Sequence, residues 1–313
     1  MLLLKPHRLG GHNSAFRFTI LATAALDALI PYRPRHRTTY LAGSTMHTTA
    51  LCGWISFATL AAAAVLIPTS SPAQWKTPWE YEGPKGPEHW SDLDPAYAAC
   101  NRGKEQSPID IQSAEKAPLP PLRFDSKIGP LKYLVNNGHT IRVNYHDAPG
   151  TGSFLIVGEK RYQLTQFHFH RPSEEHIHGK AFDMVAHLMY QSSDREVVGV
   201  AVLLKAGKAN ATIGQIWEHM PKTESKVLTD FSHQEEEIAG VEINPAGLLP
   251  HDVAYYTYMG ALTAPPCTES VRWYVLKTPV DLSAKQITAF AHLYPHDVRP
   301  VQPLNGRVVQ ESP

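Results

Sequence analysis

The sequence predicts a mainly β fold, an α+β arrangement with few short helices, held in a single domain around an extended sheet. Three features carry this prediction. Short runs rich in aromatic and β-branched residues recur after residue 100, separated by clusters of Gly, Pro, Asn and Asp. One run, 197–204, is continuously apolar, the pattern of a central strand buried on both faces. Helical patterning is confined to two short segments, 211–219 and 284–293. The mature region contains no internal repeat and no low-complexity tract.

Residues 1–73 read as a leader. They hold two apolar stretches, 18–30 and 54–67, both shorter than a bilayer span requires. The second precedes Pro68-Thr69-Ser70-Ser71-Pro72-Ala73, whose small residues at Ser71 and Ala73 suit cleavage before Gln74. Met46 is a natural start for such a signal peptide (46–73), so 1–45 is expected to lie upstream of the start used in vivo. An uncleaved anchor is the competing expectation. The leader takes six of the 29 basic and one of the 29 acidic residues, which leaves the rest with about five net negative charges. That balance excludes a basic nucleic-acid footprint, and no stable membrane span is expected in the mature form. Residues 74–313 fit one large β-rich domain. Of three cysteines, Cys52 lies in the leader. Cys100 and Cys267 remain, an even count in an exported chain, so a disulfide is expected, with two free thiols as the alternative.

Along the mature chain, 74–99 carries Trp75, Trp79, Tyr81 and Trp90 among Pro and Gly and is expected to wrap onto the body without regular structure. A short extended stretch begins at Gln106-Ser107-Pro108. Strands at 131–135 and 140–145 flank Asn137-Gly138, the strongest short hairpin signal, and His139 follows at a strand end, where it is expected to face solvent. Further strands are expected at 162–170, 182–189, 254–258 and 270–277, with irregular chain over 295–310.

The chemistry centres on Gln166-Phe167-His168-Phe169-His170. Residues two apart on a strand share a face, so His168 and His170 project together, opposite Phe167 and Phe169. Two imidazoles form half of a tetrahedral zinc site, and pairing with 182–189 would add His187. Three histidines leave the fourth position open, as a catalytic rather than structural zinc requires. The chain has seventeen histidines, so His-x-His alone is a weak signal. An alternative trio, His168, His170 and Glu174, imitates a metal-dependent cupin, but that fold needs a fourth ligand after a Pro-x-Gly turn, which His187 does not follow.

Nine motifs occur in order: Gly86-Pro87-Glu88-His89-Trp90, Gln106-Ser107-Pro108-Ile109-Asp110-Ile111, Asn136-Asn137-Gly138-His139, Gln166-Phe167-His168-Phe169-His170, Ser173-Glu174-Glu175-His176, Ala186-His187-Leu188, Leu262-Thr263-Ala264-Pro265-Pro266, Val271-Arg272-Trp273 and Arg299-Pro300-Val301-Gln302-Pro303-Leu304. Together, over about 79–307, they closely resemble the α-class carbonic anhydrases, especially the exported bacterial ones. The resemblance implies a twisted, mostly antiparallel sheet with zinc at the base of a conical cavity. It implies reversible hydration of carbon dioxide to bicarbonate and a proton, by attack of a zinc-bound hydroxide and proton shuttling to buffer.

Residue by residue, the resemblance makes His168, His170 and His187 the zinc ligands. It makes Thr263 the hydroxyl that orients the nucleophile, Glu175 the carboxylate that takes the threonine's proton, and His139 the proton shuttle. Tyr81 and Asn137 would order the water chain. Val271 and Trp273 would form the apolar wall, completed by Leu262 and Gly199, with Ala264 at the gate where relatives carry threonine. Gln166 would accept from His168, and Cys100 and Cys267 would pair. A periplasmic or secreted location and a homodimer are the accompanying expectations. A relative that had lost zinc and become a binding module would lack a ligand histidine, and this chain keeps all three. One departure concerns the metal directly: many relatives hold the third histidine with a glutamate two residues before it, and here that position is Val185. The remaining histidines, such as His89, His176, His178, His251, His292 and His296, read as ordinary.

Overall fold

The computed structural model describes residues 77–229, 232–236 and 238–313. The expected leader, with Cys52, and Trp75 lie outside the described residues. Among the described residues no helix is long and apolar enough to cross a membrane.

Twelve strands form the main sheet: β1 (Glu115–Lys116), β2 (Leu122–Asp125), β3 (Leu134–Asn136), β4 (Ile141–Asn144), β5 (Phe154–Val157), β6 (Lys160–His170), β7 (Met184–Gln191), β8 (Val197–Ala206), β9 (Tyr255–Ala261), β10 (Glu269–Leu276), β11 (Val280–Leu282) and β12 (Gln310–Glu311). The order across the sheet is β1-β12-β9-β10-β8-β7-β6-β4-β3, with β11 on β8 and the β2–β5 pair on β6. Pairing is antiparallel except for β8 with β10, β8 with β11, and β12 with β1.

The central strands divide by period two. On β7, Met184, Ala186, Leu188 and Tyr190 enter one core cluster, whereas Val185 and Met189 enter a second. On β8, Val198, Val200, Val202 and Leu204 join the first cluster, and Ala201 and Leu203 the second. Burial on both faces explains why these strands read as apolar runs rather than alternating ones. The predicted helices appear as α3 (Ala211–Glu218) and α4 (Ala284–Ala291). Asn210 caps the first by accepting from Ile213 N, and a Ser283/Gln286 capping box starts the second. Trp217 and Phe290 stack between them, and Phe169 packs edge-on against Trp217. The helices therefore cover the face that Phe167 and Phe169 bury, which leaves the His168 face free to form a site.

Two differences from the sequence expectation have local causes. Residues 74–99 were expected to be irregular, yet α1 (Trp90–Leu93) forms there as a single turn, and α2 (Ala99–Arg102), another single turn, starts at its end. Trp90, Tyr97 and the Cys100–Cys267 disulfide make a small third cluster that holds them. The expected 131–135 and 140–145 strands are observed as Leu134–Asn136 and Ile141–Asn144, the second starting later because four residues, 137–140, make the hairpin loop. Gly138 has φ +80°, but Asn137 does not take a positive φ; its Oδ1 instead accepts from His139 N and Thr140 N, closing the turn by its side chain. The short strands β1, β2, β5, β11 and β12 fall below the length at which alternation can be read.

Candidate metal centre

Strands β6 and β7 place His168 directly opposite His187, and His170 opposite Val185. Opposed residues of an antiparallel pair point to the same face, so the pairing adds His187 to the two histidines that alternation had already put side by side. The ring centroids lie 4.9 Å (His168–His170), 5.3 Å (His168–His187) and 5.0 Å (His170–His187) apart. One ligand nitrogen from each ring falls within 4.8 Å of the others.

Each ring spends one nitrogen on an outer partner. Oε1 of Gln166 lies 2.8 Å from His168 Nδ1, the Asp297 carbonyl 2.7 Å from His170 Nδ1, and the Glu175 carboxylate 3.0 and 3.2 Å from His187 Nε2. An imidazole that donates from one nitrogen presents a lone pair on the other. The inward nitrogens are then His168 Nε2, His170 Nε2 and His187 Nδ1, and the last two are buried with no hydrogen-bond partner. Orphaned acceptors converging in a buried place fit a metal with three protein ligands. Burial and mutual repulsion push His168 and His170 well below the usual histidine range, so both rings are neutral, as ligation requires; Arg142 adds to this for His168. For His187 burial also lowers the pKa, but the Glu175 and Glu174 carboxylates together outweigh it and raise the group.

The resemblance assigns the carboxylate facing Thr263 to Glu175, and here the structure differs. The Thr263 hydroxyl acts on Glu174, where it holds that carboxyl's pKa down, and Glu174 Oε1 accepts from the Arg299 backbone N at 2.8 Å. Glu175 lies at His187 instead. The turn that separates them is fixed: Ser173 Oγ donates to Glu175 O and accepts from Phe182 N, and His176 N donates to Ile109 O. The chain bends at Glu174 and Glu175, and the two carboxylates reach different groups. Burial pushes Glu174 up to about 7, opposed by His187, the Arg299 amide and the Thr263 hydroxyl.

The three rings stand at the floor of a cavity of about 250 Å³. Met189, Leu262, Ala264 and Trp273 give it an apolar side; Tyr81, Asn137, His139, Arg142 and Gln166 give it a polar one. Trp273 packs on His187 with centroids 4.7 Å apart. Val271, expected in the wall, is buried with Trp273 in the second cluster and is not among the lining residues. Gly199 does not line the cavity either; it gives the Trp273 ring its room. His139 lines the cavity and is only partly exposed, less open to solvent than expected. The ring stacks on Trp79 at 3.7 Å, its Nε2 lies 2.8 Å from the Trp79 carbonyl, and burial lowers its pKa. Tyr81 packs edge-on to Trp79 and Trp90 and also reaches His170 at 6.2 Å.

Sequence reasoning missed Asp297, Glu174 as Thr263's partner, and Arg142. Arg142 sits directly opposite His168 on β4, with a buried Nε that has no partner among the described residues. Only its place two residues beyond Thr140 on a predicted strand marked it, and that signal is too weak to single it out.

A family model described as eukaryotic-type carbonic anhydrase matches residues 85–313. A carbonic anhydrase of Nostoc sp. is 38% identical over 248 residues, covering 78% of this chain and 89% of the relative. One of Klebsiella pneumoniae is 40% identical over 236 residues, covering 74% and 90%. The solved α-carbonic anhydrase of Thermovibrio ammonificans, in complex with the inhibitor sulfanilamide, aligns with TM-score 0.68 and 41% identity over 75% of this chain and 99% of that one. With this fold, this histidine cluster and these relatives, the chain belongs to the eukaryotic-type, α-class carbonic anhydrase family of enzymes.

Proposed function

We propose that His168, His170 and His187 hold zinc and that the chain catalyses reversible hydration of carbon dioxide to bicarbonate and a proton. The observation that carries this reading is the set of three inward nitrogens, two of them buried and orphaned, at the floor of a cavity with one apolar side. When bound, zinc supplies Lewis acidity that makes water a nucleophile at neutral pH, for which this family is itself the reference case, and a positive charge that favours ionised Glu174. Leu262 and Trp273 offer carbon dioxide an apolar surface beside the rings. The Thr263 hydroxyl, donating to Glu174, is left able only to accept, so it orients the nucleophile's proton away from the carbon under attack. His139 takes protons outward at the cavity edge, with Tyr81 and Asn137 ordering the water between.

The disulfide and the expected cleavage before Gln74 support export of 74–313 to the periplasm or medium, after loss of 1–73. A homodimer is a further expectation, read by sedimentation. The test is zinc analysis with stopped-flow hydration on residues 74–313. One zinc per chain with hydration activity is expected, and His187→Ala, which leaves two protein ligands, is expected to lose both. Full zinc and full activity in His187→Ala would overturn the ligand set; iron or manganese without hydration would overturn the reaction.

A further inference from the structure

Residue 185, two before His187 on β7, shares its face of the strand, and residue 175, in the turn after β6, lies against its outer nitrogen. The strand position holds valine. We infer that Glu175 is the positioning residue for the His187 ring, performing from the turn the task for which Val185 has no polar atom, so that the Glu174-Glu175 doublet serves Thr263 and His187 from one piece of backbone. This rests on the zinc reading above.

Geometry supports the assignment first. Both Glu175 oxygens approach His187 Nε2, at 3.0 and 3.2 Å, and both side chains are fully buried. Val185 shares the face of β7 with His187 by period two, lies opposite His170, and is 0% exposed. A buried N–H left without an acceptor is strongly disfavoured, and Glu175 provides the acceptor recorded for this nitrogen.

The chemistry supports it second. A neutral imidazole carries its proton on either nitrogen, and only the tautomer protonated at Nε2 offers Nδ1 as a lone pair toward His168 and His170. The carboxylate at Nε2 selects that tautomer and fixes the ring plane. Without it, Nδ1, which lies 3.8 Å from Glu174 Oε2, could hold the proton attracted by that carboxylate, and the ligand position would close. Glu174 cannot serve both nitrogens, because its other oxygen is committed to the Arg299 amide.

Rigidity supports it third. Ser173, whose hydroxyl bridges Glu175 O and Phe182 N, and the parallel pairing of Asp110–Ile111 with His176–Ile177 fix the turn on both sides of Glu175. The carboxylate is thus held independently of the ring that it orients, as an effective outer partner of a metal ligand must be.

The test compares wild type, Glu175→Gln, Val185→Glu and the double variant Glu175→Gln/Val185→Glu. Zinc dissociation constants are measured by competition with a chromophoric chelator, and thermal melts of the zinc-free proteins check folding. Glu175→Gln is expected to weaken zinc about 10- to 100-fold, the usual loss for an outer partner. The double variant is expected to recover most of it, because its carboxylate returns on the same face of β7. Val185→Glu alone is expected to melt lower than wild type, because it buries another carboxylate beside Glu174 and Glu175. Unchanged zinc affinity in Glu175→Gln, or a double variant no tighter than Glu175→Gln, overturns the assignment. A readout free of any substitution comes from the ¹⁵N shifts of the His187 ring in zinc-free wild type. The Nε2-protonated form supports the inference, and a predominantly Nδ1-protonated ring overturns it. Wild type that binds no zinc would instead defeat the zinc reading, and the ring shifts would still decide the role of Glu175.

Discussion

Gly199→Ala tests whether the cavity floor depends on a missing side chain. Gly199 on β8 is opposite Trp273 on β10 and Met189 on β7. A Cβ at this position would stand 2.7 Å from Cε3 and Cζ3 of Trp273 and 2.9 Å from its Cη2, where carbon contacts settle at about 3.5–4.0 Å. The indole has little freedom to withdraw. It is 1% exposed, its Nε1 donates to the Ala261 carbonyl at 2.9 Å, and the His187 ring packs on it. Overpacking of this kind costs about 1–3 kcal/mol. At about 2–4 °C per kcal/mol for a domain of this size, the melting temperature should fall by about 2–12 °C. Any shift of the indole moves the apolar side of the cavity, so KM for carbon dioxide should rise as well. Thermal denaturation followed by circular dichroism, with hydration kinetics on the same protein, reads both effects. A variant that melts with wild type and keeps its KM would show that the strands part without strain and would refute the reasoning.

His139→Ala is expected to slow turnover in dilute buffer, and concentrated imidazole to restore most of it; a loss that imidazole does not rescue would assign His139 to holding Trp79 instead. Because burial lowers the His139 pKa, the ring stays neutral and able to accept a proton to lower pH than a free histidine. The part of wild-type turnover in dilute buffer that His139→Ala removes should therefore have its midpoint below 6.5, and a midpoint above it would contradict the observed packing. Cys100 and Cys267 are 167 residues apart, for which chain entropy gives about 5 kcal/mol of stabilisation. Cys100→Ser/Cys267→Ser should lose a large part of that in denaturant while keeping hydration activity at 25 °C, because the cystine packs with Trp90 and Tyr97 and does not line the cavity. Loss of activity without loss of stability would show that the link positions the site.

The strands with the strongest patterns were legible because their signal is local. Period two on 162–170 put His168 and His170 on one face, and the continuous apolar character of 197–204 marked a strand buried on both sides, as its division between two core clusters bears out. Two- to four-residue strands such as β1 and β12 left no readable pattern, since their pairing comes from partners far along the chain.

By itself, then, the sequence determined the family, the histidine trio, the cysteine pair and the two helices. Those depend on neighbouring residues or on motifs long enough to be specific. Tertiary structure decided which of two adjacent carboxylates faces Thr263 and which faces His187. It also decided that His170 leans on the carbonyl of Asp297, 127 residues away, that Arg142 stands opposite His168, and that His139 lies against Trp79. Adjacent carboxylates have equal reach and chemistry, and only the turn that packs Ser173 against Phe182 aims them apart. Contacts across long stretches of chain depend on the register of the whole sheet, which no local run of residues encodes.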